Sequence, residues 1–348
     1  MIIKALRLNG IKVYILNFRN ISSRKMIYSF IKHIKILNSL HLDLIYFFSV
    51  NPRDWLLFLI TKLFSKIRRI PVVYDYFISK FQTFYEDRMW FSRKNRVFKL
   101  LKYAFLFCVD YFECLLSDRV ILDTKTHIKY FNLKFRLKKE KFYRIFIGAE
   151  PIFKAKGSSK ENKDKKGKIR VGFWGTYIPL HGIEYIIKAA QNLKDDNRII
   201  ISLLGKGQTY TKNYDLAKAL KLDNVEFLDM ILLNKLPDFI SSCDIGLGIF
   251  GKSEKSLCVI PNKIYEAIKM RIPLITANTP AVRELFTHKK NIYLCQKANP
   301  KSLSDGILEL INNKSLRYSI ADNAYHLYKD KTSLRCIAKD LADFFLEL

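Results

Sequence analysis

Beyond residue 168, short apolar runs alternate with stretches whose apolar residues recur every three or four positions. Residues 169–174, 199–204, 225–227, 245–249, 273–276 and 292–294 read as buried strands. Between them, residues 182–193 carry Ile183, Ile186, Ile187 and Ala190 at the spacing of one helix face. Residues 214–222, 233–241, 262–270 and 281–285 also read as helices, and helices then run to Leu348. Strands that alternate with helices over short connections predict a parallel sheet covered on both faces. The first 150 residues repeat this less regularly, with strands expected over 13–18, 44–48, 72–74 and 119–123. Residues 155–168 contain no large apolar residue and read as a linker. The predicted organisation is therefore an α/β domain over residues 1–153, a linker over 154–168, and a second α/β domain over 169–330. A final helical segment over 331–348 is expected to pack back towards the first domain. Two doubly wound domains joined by a linker predict a ligand cleft between them.

The chain opens with a helical pattern over residues 2–8 that ends at Gly10. A doubly wound domain ordinarily opens with a strand central to its sheet, and losing that strand exposes two interior strand edges. The expectation is that Met1 is not the natural start, or that the gene is truncated.

Charge adds a second theme. The 348 residues carry a formal net charge of +29. Residues 1–150 hold 29 Lys and Arg against 11 Asp and Glu, so most of the excess lies there. That half is also rich in aromatics, which points to an anionic membrane surface, with residues 62–69 and 93–102 as the docking segments. Solvated lysine-rich faces are the plainer alternative. No nucleic-acid-binding module is present, so charge alone does not make a nucleic-acid partner. Cys108, Cys114, Cys243, Cys258, Cys295 and Cys336 show no metal-ligand spacing and read as thiols of a reducing compartment. No signal peptide and no run of about 18 apolar residues is seen. The expected location is cytoplasmic, peripheral on the inner face of the membrane.

Candidate chemistry lies at loops that join strands to helices. Gly175, Thr176, His181 and Gly182 bracket such a loop, where glycines allow close approach and a helix N-terminus favours a phosphate. Asn262, Lys263 and Glu266 share one face near the start of another helix. A lysine and a helix N-terminus suit a diphosphate, and a carboxylate suits a ribose diol. An ordinary Lys–Glu pair on a solvated face is the alternative. Lys206, between Gly205 and Gly207, lies in a turn after a strand, and Asp75 ends the strand over 72–74. No Asp-x-Asp, GxxxxGK[ST] or strand-borne GxGxxG occurs, which argues against metal-dependent sugar-nucleotide binding, ATPase and dinucleotide-oxidoreductase readings.

Taken together, FIGAE at 146–150, VGFWGTYIPLHGIEYIIKAA, LLGKGQT, VIPNKIYEAIKMRIPLITANTPAVRELF and NPKSLSDGILELINN resemble glycosyltransferase family 4, the glycosyl transferases group 1 domain. The first half, through VVYDYFISKFQTFYEDR and SDRVILDTKTHIKYF, resembles a subgroup of that family more weakly. The resemblance implies a GT-B fold, two Rossmann-like doubly wound domains facing each other across a cleft. It implies a retaining, metal-independent transferase acting in cell-surface glycan synthesis, such as lipopolysaccharide or capsule. The partners would be a nucleotide-sugar donor and a lipid-linked or polysaccharide acceptor, with no cofactor.

By position, Glu266 matches the second glutamate of the family's Glu-x7-Glu signature, which binds the donor ribose. The 175–182 loop matches the diphosphate loop, and Asp75 falls near a position that contacts the transferring sugar. Asp75 and Lys263 are thus the expected catalytic residues. Gly175, Thr176, His181, Gly182, Lys206, Asn262, Lys263 and Glu266 are the expected donor contacts. The first glutamate is replaced by Cys258, the loop's basic residues by Thr176 and His181, and a glycine after the 262–270 helix by Arg271. These departures keep two other readings open, a degenerate member that scaffolds glycan assembly and a nucleotide-sugar epimerase.

Overall fold

The computed structural model describes residues 1–15, 35–89, 95–155 and 167–348. The chain forms two compact units. One comprises Ile2–Ile145 with Ala338–Leu348, the other Phe146–Ile337 with Met1. The division falls at 145/146, ahead of the boundary expected at 153. The reason is packing: Phe146, Ala149 and Phe153 are buried in a core of the second unit. Most of the expected linker, residues 156–166, lies outside the described residues.

In the first unit, α1 (Ile2–Leu8) precedes β1 (Ile45–Phe48), α2 (Trp55–Arg68), β2 (Val72–Asp75), α3 (Arg96–Leu116), β3 (Arg119–Leu122), α4 (Lys125–Phe135) and β4 (Phe142–Arg144). The four strands form a parallel sheet in chain order. Residues 13–15 form no strand, and 16–18 lie outside the described residues. Phe142–Arg144 is a strand that the apolar pattern did not signal, because only three residues, two of them Tyr and Arg, carry it. Apolar side chains of the first three strands pack on Phe58, Cys114 and Phe131. Beside them lies a buried charge network. Lys80 Nζ bonds Glu113 Oε2 at 2.5 Å and the Tyr74 hydroxyl at 2.9 Å. Asp110 accepts from Ser79 Oγ and from the Lys80 and Phe81 amides, which pins the π-helical segment Phe81–Asp87 to α3. The end of the chain joins this unit, with the Phe344 ring tilted against Tyr143 at 4.7 Å between centroids.

The second unit contains β5 (Ile169–Trp174), α5 (Ile183–Asn192), β6 (Ile199–Leu204), α6 (Tyr210–Ala219), β7 (Val225–Leu228), α7 (Leu236–Ser241), β8 (Ile245–Leu247), α8 (Glu254–Cys258), α9 (Asn262–Lys269), β9 (Leu274–Ala277), α10 (Pro280–Arg283), β10 (Tyr293–Cys295), α11 (Pro300–Asn312), α12 (Lys314–Leu327) and α13 (Leu334–Leu346), the last of which runs on into the first unit. The six parallel strands lie in the order β10-β9-β8-β5-β6-β7. This is the Rossmann order, and the chain reverses direction across the sheet between β5 and β8, where such sheets bind ligands at their carboxyl ends.

Alternate residues of β5 face opposite cores. Val171 and Phe173 join one, Trp174 the other. Two glycines let large groups lie against the central strands. A Cβ on Gly172 would stand 2.1 Å from Cys243 Sγ, and one on Gly246 would stand 3.1 Å from Trp174 Cη2. Arg271 follows α9 in the left-handed region, φ 57°. Its guanidinium stacks on Tyr325 at 4.3 Å, a contact a glycine would lack. Gly172→Ala is expected to lower unfolding free energy by about 1–3 kcal/mol through overpacking. Adding Cys243→Ala should recover part of that loss in a denaturant-melt cycle; strict additivity of the two changes would refute the contact.

Candidate functional site at the sheet's switch point

The chain leaves β5 at Gly175, whose φ of 134° suits glycine. Its amide donates to Leu204 O at 3.1 Å, so the glycine ties the loop to β6. A Cβ there would lie 3.3 Å from Lys263 Nζ and 3.5 Å from His181 Cε1. Three expected site residues therefore converge on one point at the end of β5.

The surrounding loops are held by main chain. The turn after β6 packs against this loop: Tyr177 N donates to Lys206 O at 3.0 Å, and a Cβ on Gly205 would sit 2.1 Å from Gly175 O. From the other side comes the loop after β8. Phe250 N donates to His181 O at 3.0 Å and Gly251 N to Leu180 O at 3.2 Å. A Cβ on Gly182 would stand 2.5 Å from Gly251 N. Gly182, expected as a phosphate-approach glycine, thus makes room for a neighbouring main chain. His181 is buried, and its Nδ1 meets the Thr176 carbonyl. A carbonyl oxygen only accepts, so Nδ1 carries the proton.

Lys263 is the second residue of α9 and only 5% exposed. Its ammonium makes no hydrogen bond among the described residues and lies 3.6 Å from the centroid of the Phe173 ring. Burial pushes its pKa well below the usual lysine range, with the charge of Glu266 pulling the other way. The expected alternative, a solvated Lys–Glu pair, does not form. The helix has Ile264, Ala267 and Ile268 in the core, and that orientation turns Lys263 inwards. Asn262 is exposed at the first position of α9, whose N-cap, Pro261, offers no side-chain acceptor to the first-turn amides.

Glu266, half-buried one turn further on, accepts a 2.7 Å hydrogen bond from Trp174 Nε1. Burial raises its pKa, while the Trp174 bond and Lys263 oppose the rise. Lys206 stands on the adjacent loop, half-exposed and ion-paired with Asp229 at 2.5 Å, so its charge is already matched. Asp75 lies in the first unit at the end of β2. Its carboxylate accepts from the Tyr46 hydroxyl at 2.8 Å and the Phe77 amide at 3.1 Å, and burial raises its pKa. Cys258 is buried at the end of α8. Sequence reasoning missed Trp174, read only as the apolar end of a strand, and the Gly248-Ile-Phe-Gly251 loop. The glycine spacing of that loop was its one available signal.

A Rossmann-ordered unit with an unmatched lysine at its switch point is the frame of a nucleotide-binding domain. Residues 155–327 match the family described as Glycosyl transferases group 1, and the chain carries a domain of that family. It is 27% identical over 182 residues to an uncharacterised glycosyltransferase of Methanocaldococcus jannaschii, covering 52% of this chain and 49% of that protein. An uncharacterised glycosyltransferase of Haemophilus influenzae is 27% identical over 162 residues, covering 45% and 43%. The matched stretch thus spans about half the length of these curated relatives. Among solved structures, Anabaena HepE in complex with UDP superposes with a TM-score of 0.70 at 17% identity, covering 99% of this chain and 88% of that one. Sucrose-phosphate synthase of Thermosynechococcus elongatus gives 0.71 at 13%, covering 97% and 82%. The fold is that of the GT-B glycosyltransferases, two Rossmann-like units.

An unpaired buried ammonium destabilises the empty protein, whereas an anion beside it reverses that effect. Lys263→Met is therefore expected to stabilise the ligand-free protein by about 1–4 kcal/mol in thermal or denaturant melts. It should also weaken nucleoside-diphosphate binding at least about tenfold, one charge-assisted hydrogen bond being worth roughly 1.5–3 kcal/mol. A variant that is less stable and binds as well as the parent would contradict both expectations.

Proposed function

We propose that this chain transfers a sugar from a nucleotide-sugar donor, with retention and without a metal, to a lipid-linked or polysaccharide acceptor. The observation that carries the reading is the Lys263 ammonium, buried without a hydrogen-bond partner beside Gly175 and the open N-terminus of α9. A diphosphate supplies the missing negative charge there and accepts from the helix amides. Glu266, held by Trp174, takes the ribose diol. Thr176, His181, Gly182 and Asn262 shape the two loops that receive the diphosphate, and Lys206, paired with Asp229, stands at their rim. As the leaving phosphate gains charge, Lys263 stabilises it. Asp75 acts on the sugar or acceptor hydroxyl. A uridine donor is the first to test, because the HepE structures carry UDP and UDP-glucose.

One observation favours a non-catalytic reading. Cys258, where the family's first glutamate falls, is a buried thiol that cannot do a carboxylate's work on the sugar. Nucleotide binding without transfer, in the presence of lipid-linked and polysaccharide acceptors, would establish that reading. Titration calorimetry with UDP and GDP tests the site directly. Glu266→Ala should weaken the bound nucleotide at least about tenfold through loss of charge-assisted hydrogen bonds. Asp75→Asn should leave nucleotide affinity unchanged and lower transfer. Equal affinity for Glu266→Ala and the parent would remove the ribose assignment.

The membrane reading is supported by α3. Its exposed residues Val97, Leu101, Phe112 and Leu115 form one apolar stripe, and the Lys102 ammonium lies over the Phe98 and Phe105 rings. On neighbouring α2, Leu63 and Ile67 are exposed among Lys66, Arg68 and Arg69. Apolar side chains rimmed by cations fit an anionic bilayer surface. No described helix is long and apolar enough to cross a membrane. The chain should float with phosphatidylglycerol vesicles and remain in solution with phosphatidylcholine vesicles; no flotation with either lipid at moderate salt would end this reading.

A further inference from the structure

We infer that Trp174 is a positioning residue that fixes the Glu266 carboxylate for a ribose diol and so sets the preference for ribonucleotides at this site. The inference rests on the donor-site reading above. Trp174 is 2% exposed and stands at the carboxyl end of β5, the strand beside the switch point. Its ring is held on two sides. On β8, Gly246 leaves the space that Cη2 and Cζ3 occupy, and Phe239 meets the ring edge-on at 6.4 Å between centroids. An indole has one donor and no acceptor, and here the donor is directed at Glu266 Oε2 at 2.7 Å.

Glu266 lies on a different element, α9, so the bond ties helix to strand at the point where a nucleotide would lie. It engages one carboxylate oxygen. Oε1 makes no hydrogen bond among the described residues and keeps its acceptor capacity for a vicinal diol. A glutamate has three side-chain torsions, and an unheld one loses rotamer freedom when it binds. A carboxylate already ordered by a rigid indole avoids that loss, which is how a supporting shell sharpens a binding group. The ring itself is accounted for by packing, since it fills the space beside Gly246. Its N–H is the feature that packing leaves unexplained, and the hydrogen bond to Glu266 explains it.

The test compares UDP and GDP with their 2′,3′-dideoxy counterparts, on the full chain and on Trp174→Phe. The parent should prefer the ribonucleotide by about tenfold or more, a charge-assisted hydrogen bond being worth about 1.5–3 kcal/mol. In Trp174→Phe that preference should shrink to within about threefold, while affinity for the dideoxy nucleotides stays unchanged. If the parent itself shows no ribose preference, the ribose assignment of Glu266 fails. If the parent discriminates and Trp174→Phe discriminates equally, the positioning role fails and the ribose assignment stands. Equal losses for both nucleotides would mark Trp174 as structural only and also overturn the inference. A measurement on the parent avoids dependence on the variant's folding. Of its three indole N–H resonances, assigned with Trp55→Phe and Trp90→Phe, the Trp174 resonance should move with UDP and much less with the dideoxy nucleotide. Equal movement with both would contradict the proposal.

Discussion

One contact sets the character of the second unit, the ammonium of Lys263 against the face of Phe173 and the empty side of Gly175. Everything nearby accommodates it. β5 is followed by a residue without a side chain, α9 begins without a capping acceptor, and the carboxylate of Glu266 is engaged by Trp174. The first unit shows what a purely structural buried lysine looks like. Lys80 is equally removed from water, yet it bonds both Glu113 and Tyr74 and lies over two tyrosine rings. Lys263, by contrast, makes no hydrogen bond among the described residues. That contrast is what supports the proposed anion site at Lys263.

The fold was legible where patterning is strong. In the second unit, apolar runs of up to six residues alternate with helices of clear 3.6 periodicity, and each became a strand or helix near its expected bounds. The Rossmann strand order itself is not written in periodicity; it follows from connection handedness and tertiary packing. Three-residue Phe142–Arg144 was invisible because Tyr143 and Arg144 break the apolar run that marked the other three-residue strands. The domain boundary was misplaced because Phe146–Phe153 looks like a loop in sequence but anchors by burial of its aromatics.

At the site, the two segments named from sequence, 175–182 and 262–266, do meet, through Lys263 beside Gly175 and Glu266 on Trp174. Their roles were less legible. Sequence offered Lys263 and Glu266 as a pair, whereas the structure gives each a different partner, an aromatic face and an indole N–H. Glycines 175 and 182 looked alike in sequence. The structure separates them, one bordering the lysine and the other lying against the loop after β8.

The latch between residues 179–182 and 248–251 is built from carbonyls, amides and missing Cβ atoms, with no side chain required beyond hydrogen. Its geometry is therefore indifferent to most of the amino acids placed along it. The exposed Thr176 and half-buried Ile178 can drift over generations, or be randomised in a library, while the scaffold beside them keeps its course. Such an arrangement separates heritable specificity from heritable shape, and under the proposed function it makes this short loop the place to retune which donor is accepted.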